Sequence, residues 1–341
     1  MDLPTKIISG PEDDYNVLSL HATGTRKNLT YTSRCHANMT TLLVDVAKKT
    51  MLLVSYSYAA FVGFIFVAQR KLQYFPTTSA PPTVDELPHI CRSIMDFDVC
   101  TVDGLVLNGW VWDEPKCQIL VLHLHGNAGS RYHRLYWAHE VKKRLRCAVA
   151  LFDYRGFGGN PGVISEDGLI EDAVAAIKWA HVQAGQNDKK LVLHLESIGS
   201  VAGLSALAKI STEVKVHGIV VEGGLSSCYD LARSMFPLVP VSLLLRDKWE
   251  RAMNGARGLQ RSIHFMSLHG KADRVVPLWC GMKLFQAVAC TRKEFVTFQT
   301  GEHNNLFLQP DYFEKLASFY AEVSGKTAHA TDDLFARKLE R

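Results

Sequence analysis

Residues Leu191 to Ser200, Leu-Val-Leu-His-Leu-Glu-Ser-Ile-Gly-Ser, constrain this chain more than any other stretch, because an apolar strand runs into a serine and straight on into a helix-competent segment. Such a junction needs a sharp, strained turn whose central side chain projects from the sheet edge while the next backbone N–H faces a developing negative charge. Ser197 takes the central position and Ile198 supplies that N–H. The usual spacing is G-x-S-x-G; Gly199 is the second glycine, and Leu195 stands where the first is expected. A side chain there crowds a turn that favours small residues, which is the main chemical argument against an active serine.

Strands and helices alternate through the rest of the chain. Apolar strand candidates lie at Gln118–His123, Cys147–Phe152, Leu191–Leu195, Val214–Val221, Ser262–Leu268 and Glu294–Phe298. Between them, Leu169 to Gln183 has a clear helical stripe of Leu169, Ala173, Ala176, Ile177 and Ala180, with Glu171, Asp172 and Lys178 off the stripe. Ahead of this series, Phe97–Thr101 and Leu105–Trp110 flank Asp103-Gly104, a hairpin signal. Continuous apolar strands separated by helices predict an α/β fold with a mainly parallel sheet covered on both faces, whose chemistry gathers beyond the carboxyl ends of the strands.

Met51 to Ala68 carries no charged side chain. As a helix rising about 1.5 Å per residue it reaches roughly 27 Å, which fits one transmembrane span across a thin bilayer core. The polar residues before it make a poor signal peptide and point to an uncleaved anchor. Arg34, Lys48 and Lys49 before the span slightly outweigh Arg70 and Lys71 after it, a lean towards a cytoplasmic amino terminus. The sequons at Asn28 and Asn38 argue mildly the other way. The expected order is a disordered polar segment over 1–50, the span over 51–68, a linker over 69–88, the α/β domain over 89–324 with a small cap insertion at about 223–259, and a polar tail over 325–341. The cap, with Phe236-Pro237 and Leu243-Leu244-Leu245, suits either an apolar cover over the serine or plain helix packing.

At 341 residues, 47% hydrophobic and 21% charged, the chain has globular composition, and its formal charge of +4 is not gathered into a basic block, so no nucleic-acid partner is expected. The eight cysteines form no C-x-x-C pair and no Cys/His ligand spacing, so no metal site is expected.

A serine nucleophile needs a base to take its proton and a carboxylate to hold that base. Asp273 and His303 each follow an apolar strand, giving the order Ser197, Asp273, His303, which is the Ser…Asp…His order of α/β hydrolases. Glu222 is the alternative acid. His125-Gly126-Asn127-Ala128-Gly129 also follows a strand, and the N–H of Asn127 is placed to join that of Ile198 in an oxyanion hole. Asp153-Tyr154-Arg155-Gly156-Phe157-Gly158 fails the spacing of a nucleotide fingerprint and reads as a turn shaping the site.

With these motifs the chain resembles the α/β-hydrolase superfamily over roughly Lys71 to Ser324, and within it the membrane-tethered α/β-hydrolase-domain proteins of type 13, with types 12 and 17 more distant. The matching pieces are Arg70 to Pro76, His125 to Gly129, Asp153 to Gly158, Glu196 to Ser200, Phe236 to Asp247, His269-Gly270 with Asp273, and Gly301 with His303-Asn304. The resemblance implies a single-pass serine hydrolase of the endomembrane system or plasma membrane, with Ser197 as nucleophile, Asp273 as acid and His303 as base. Relatives include lysophospholipid hydrolases, protein depalmitoylases and prolyl-oligopeptidase-like serine peptidases. The expected substrate is a carboxylic ester or thioester, of lipid or acyl-protein type, cleaved without a cofactor. The competing readings are a serine peptidase and a catalytically silent fold that binds a lipid or a protein.

Overall fold

The computed structural model describes residues 24–91 and 93–325, with the backbone alone described for 24–35 and 90. The amino-terminal residues 1–23, expected to be disordered, and the polar tail from 326 on lie outside the described residues. The chain divides into two compact units that meet between Phe64 and Ile65.

In the first unit the described residues are helical. Helix α1 runs over Gly24–Gln73, so the segment 24–50 is helical, not disordered as its polarity suggests, and the helix extends well beyond Met51–Ala68 at both ends. The physical reason is that a long apolar helix, once formed, extends cheaply into neighbouring residues with no Pro to stop it. From His36 to Gln73 it is long and apolar enough to cross a membrane.

The second unit holds an eight-stranded sheet. In chain order the strands are β1 Phe75–Pro76, β2 Ile94–Cys100, β3 Val106–Trp112, β4 Ile119–Leu124, β5 Ala128–Gly129, β6 Ala148–Phe152, β7 Lys190–Glu196, β8 Gly218–Glu222, β9 His264–Gly270 and β10 Arg292–Phe298. The helices after α1 are α2 Leu135–Leu145, α3 Glu166–Gln186, α4 Ile198–Ile210, α5 Cys228–Met235, α6 Val241–Leu244, α7 Arg251–Gly258, α8 Leu278–Ala287 and α9 Tyr312–Ser324. The large sheet has the order β10-β9-β8-β7-β4-β6-β3-β2. It is parallel from β10 to β6, whereas β3 runs antiparallel to β6 and to β2. The Asp103-Gly104 turn closes the β2–β3 hairpin, with Cys100 opposite Val106.

Period-two alternation divides the strand side chains between two cores. Leu122, Leu193, Leu195, Ile219 and Val221 join Val201, Leu204, Leu169 and Ala256 on one face. Val121, Val192, Val220 and Leu268 join Trp137, Tyr312 and Phe319 on the other. All five stripe residues of α3 are buried. Asp172, read from sequence as lying off the stripe, is buried as well, because Arg155 reaches it with a pair of guanidinium bonds of 2.7 and 2.9 Å. A carboxylate is stable there only because it is paired.

The expected linker over 69–88 begins in the last turn of α1 and is fastened to the rest of the unit. Tyr74 is buried, and Arg70 pairs with Asp247 through bonds of 2.9 and 3.1 Å. Strand β1 pairs in parallel with β5, its Phe75 N–H donating to the Asn127 carbonyl at 2.8 Å and its Thr77 N–H to that of Gly129 at 2.9 Å. Pairing of so short a strand needs anchors on both sides, and these come from residues far apart in sequence.

Candidate active site

Ser197 sits between β7 and α4 with φ 51° and ψ −116°. This is the positive-φ conformation that non-glycine residues avoid, at a typical cost of about 1–3 kcal/mol, and here the surroundings enforce it. The Ser197 N–H donates to the Glu222 carbonyl at 2.8 Å, and its own carbonyl accepts from the Ser200 N–H and hydroxyl at 2.9 and 2.6 Å. Helix α4 starts so close to β4 that a Cβ on Gly199 would fall 2.1 Å from the Leu124 carbonyl oxygen. The second glycine of the motif is therefore a steric requirement. The first is not, because Leu195 points away from the turn into the core, where it is fully buried, and Gly203 of α4 makes room for it.

The loops that carry Asp273 and His303 meet at two glycines. A Cβ on Gly270 would lie 2.1 Å from the Gly301 carbonyl oxygen, so the bare backbones are in contact and the loops beyond β9 and β10 close on each other. Asp273 Oδ1 accepts the N–H groups of Val275 and Val276, each at 2.8 Å, and Oδ2 lies 2.8 Å from His303 Nδ1. His303 Nε2 lies 2.9 Å from Ser197 Oγ. Burial alone would push the Asp273 carboxyl up, but the bond and charge of His303 and the two N–H donors outweigh it, leaving the carboxyl below its ordinary range. Asp273 thus closes its own turn and also holds the imidazole.

Glu222, the alternative acid, is engaged elsewhere: its Oε2 lies 2.9 Å from His194 Nε2 and accepts the Tyr312 hydroxyl at 2.6 Å. The Asn127 carbonyl and carboxamide are taken up by Phe75 and by Gln73, the latter through Nδ2 at 2.8 Å to the Gln73 carbonyl, and its N–H stays outside the β1–β5 ladder. Ile198 is the first residue of α4, where a backbone N–H has no partner within the helix. The Asp153–Gly158 motif is structural: Asp153 accepts the Arg131 N–H and guanidinium, both at 2.6 Å, and Arg155 bridges Asp172 and Asp103.

A cavity of about 510 Å³ opens beside His303, with His123, Arg134, Trp137, Glu196 and Glu222 among its walls. The residues that line it come from outside the 223–259 insertion. The residue before Ser197 also stands in this wall, and nothing in the sequence marks it as part of the site. Glu196 binds Arg134 through two bonds of 2.6 and 2.9 Å, and Arg134 also donates to the Ala128 carbonyl at 2.8 Å. Burial opposes ionisation of Glu196, but the charge and bonds of Arg134 prevail and hold the carboxyl far below its usual range. Burial pushes the neighbouring His123 imidazole well below its ordinary value. In the sheet Glu196 stands opposite Glu222 across β7 and β8, and His123 opposite His194 across β4 and β7, a register that only the assembled sheet shows. Among the described residues no cluster of three or more His, Cys, Asp or Glu side chains is arranged to hold a metal ion.

This strand order, with a serine at the tight β7–α4 junction and the Asp273 and His303 loops beyond β9 and β10, is the α/β-hydrolase fold. The esterase Pf2001 of Pyrococcus furiosus superimposes with a TM-score of 0.55 over 73% of this chain and 98% of its own, at 17% identity. The chain belongs to the α/β-hydrolase family that includes YfhR of Salmonella typhi, an uncharacterized protein, which is 30% identical over 221 residues, covering 60% of this chain and 73% of YfhR. The α/β-hydrolase domain-containing protein WAV2 of Arabidopsis thaliana is 28% identical over 289 residues, covering 75% of this chain and 91% of its own length. No family model matches.

Proposed function

We propose that this protein is a membrane-anchored serine hydrolase that cleaves a carboxylic ester or thioester through an acyl-enzyme. The observation that carries the reading is the unbroken hydrogen-bonded series from Asp273 through His303 to Ser197, built on a strained elbow. Ser197 Oγ attacks the substrate carbonyl carbon while its proton passes to His303 Nε2. The imidazolium returns that proton to the departing alcohol or thiol, leaving the acyl group on Ser197. Water then attacks the acyl carbonyl, giving its proton to His303, and the acid is released as Ser197 recovers its hydrogen. Asp273 fixes the imidazole tautomer and stabilises its charge, and the N–H groups of Ile198 and Asn127 receive the oxyanion. No cofactor takes part in these steps. Anchoring by α1 keeps the site near a bilayer, which favours a lipid or an acylated protein as substrate.

The test is labelling of membranes that express wild type or Ser197→Ala with a fluorophosphonate, which reacts with an activated serine whatever the natural substrate. Labelling of wild type that disappears on substitution is expected. A folded wild type that takes no label overturns the reading in favour of a silent, ligand-binding fold. Cleavage of short peptides with no response to acyl chains would instead favour the peptidase reading.

A further inference from the structure

The segment from α5 to the residues after α6 carries large apolar side chains on its outside: Met235, Phe236, Leu238 and Leu243 are exposed, Leu243 to 82%. No residue of α5 is buried. Leaving four such side chains in water on one short segment is unfavourable unless something covers them. Two exposed cations, Arg233 and Arg246, flank them.

What covers them follows from where the segment is fastened. Gln69, at the carboxyl end of the apolar stretch of α1, donates Nε2 to the Leu244 carbonyl at 3.1 Å, and its Oε1 accepts the Arg246 N–H at 2.7 Å. The Arg246 guanidinium lies over the Phe66 ring, 4.4 Å from its centroid. One turn further on, Arg70 grips Asp247. The exposed leucines are thus tied to the level at which the chain leaves its membrane-competent helix, where lipid headgroups meet acyl chains. Apolar side chains bordered by arginines are the chemistry that such an interface receives.

We propose that the segment from Arg233 to Arg246 rests in the surface of the phospholipid bilayer that α1 enters, as a second, interfacial foot of the enzyme domain. The foot and the span share the pins at Gln69 and Arg70, and the chain proceeds from there through Gln73 and Phe75 to the Asn127 loop, so the foot fixes how the candidate site faces the lipid. This inference rests on α1 spanning a membrane, and the experiment separates the two.

The full chain, with Cys35 and Cys100 replaced by serine, is reconstituted in vesicles of phosphatidylcholine and phosphatidylserine at about three to one, some lipids carrying a spin label high in the acyl chain. An environment-sensitive fluorophore is attached through Leu243→Cys, Met235→Cys, Leu53→Cys in α1, or Gln186→Cys at the far end of α3, each variant first checked for a wild-type unfolding midpoint. Labels at 243 and 235 are expected to shift to the blue and lose roughly half their emission to the lipid quencher, as at 53, while 186 stays unchanged. If 53 is quenched but 235 and 243 behave like 186, the foot does not exist and the span stands. Self-quenching between chains at 243 without lipid quenching assigns the face to a second copy and also overturns the proposal. If 53 itself is not quenched, the span fails and the foot with it.

Discussion

Leu195 and Gly203 fit each other across the β7–α4 turn: a Cβ on Gly203 would lie 2.7 Å from Leu195 Cδ2. The side chain that replaces the first glycine of the serine motif is therefore housed in the core by a glycine eight residues later, and the Ser197 elbow keeps its geometry. Restoring the motif with Leu195→Gly would remove a fully buried leucine and loosen a strand. It is expected to cost roughly 3–6 kcal/mol of stability, read by denaturant unfolding, and to raise no activity. A gain in hydrolysis by Leu195→Gly would contradict this account.

The strained serine makes a second expectation. Ser197→Gly and Ser197→Ala both remove the hydroxyl, and only glycine relaxes the positive φ. Both variants are expected to lose about 10³-fold or more in turnover. The glycine variant should nevertheless be more stable than the alanine variant by about 1 kcal/mol in a paired thermal unfolding comparison.

Arg134 and Glu196 form a neutral pair against the loop proposed to bind the oxyanion, since a Cβ on Gly126 would fall 2.8 Å from Glu196 Oε1. Arg134→Gln leaves a carboxylate facing the negative charge that develops there. A loss of roughly 10–100-fold in kcat/KM is expected, with Arg134→Gln plus Glu196→Gln recovering part of it, because the second change removes the stranded charge. A double variant no better than the single one would show that Arg134 acts by packing alone.

Acid stability follows from three carboxylates. Asp273, Glu196 and Asp153 are each pushed up by burial and pulled further down by their partners, so each ends below its ordinary value. A carboxyl whose folded pKa is depressed adds stability above its unfolded pKa and loses it as pH falls through the folded value. Asp172 and Glu166, raised chiefly by burial, act in the opposite sense and offset part of the loss. The unfolding free energy is expected to decline below about pH 4, and the Arg134→Gln, Glu196→Gln double variant should show a shallower decline, measured by urea titration across pH.

The sequence by itself determined the order of strands and helices, because apolar periodicity and the Asp103-Gly104 turn are local signals that strand pairing then obeys. It also singled out Ser197, Asp273 and His303, since each follows an apolar run and such sheets gather their loops at one edge. Only the tertiary structure decided that these three side chains lie within hydrogen-bond reach, because that depends on the Gly270–Gly301 contact between strands that are not neighbours of β7. The same holds for Leu195, whose cost as a departure from the motif vanishes once Gly203 is seen across from it. Glu196 with Arg134, Asp172 with Arg155, and Asp247 with Arg70 were equally hidden: each pairs charges from distant segments, and a charge in isolation reads as solvated until its partner is in place.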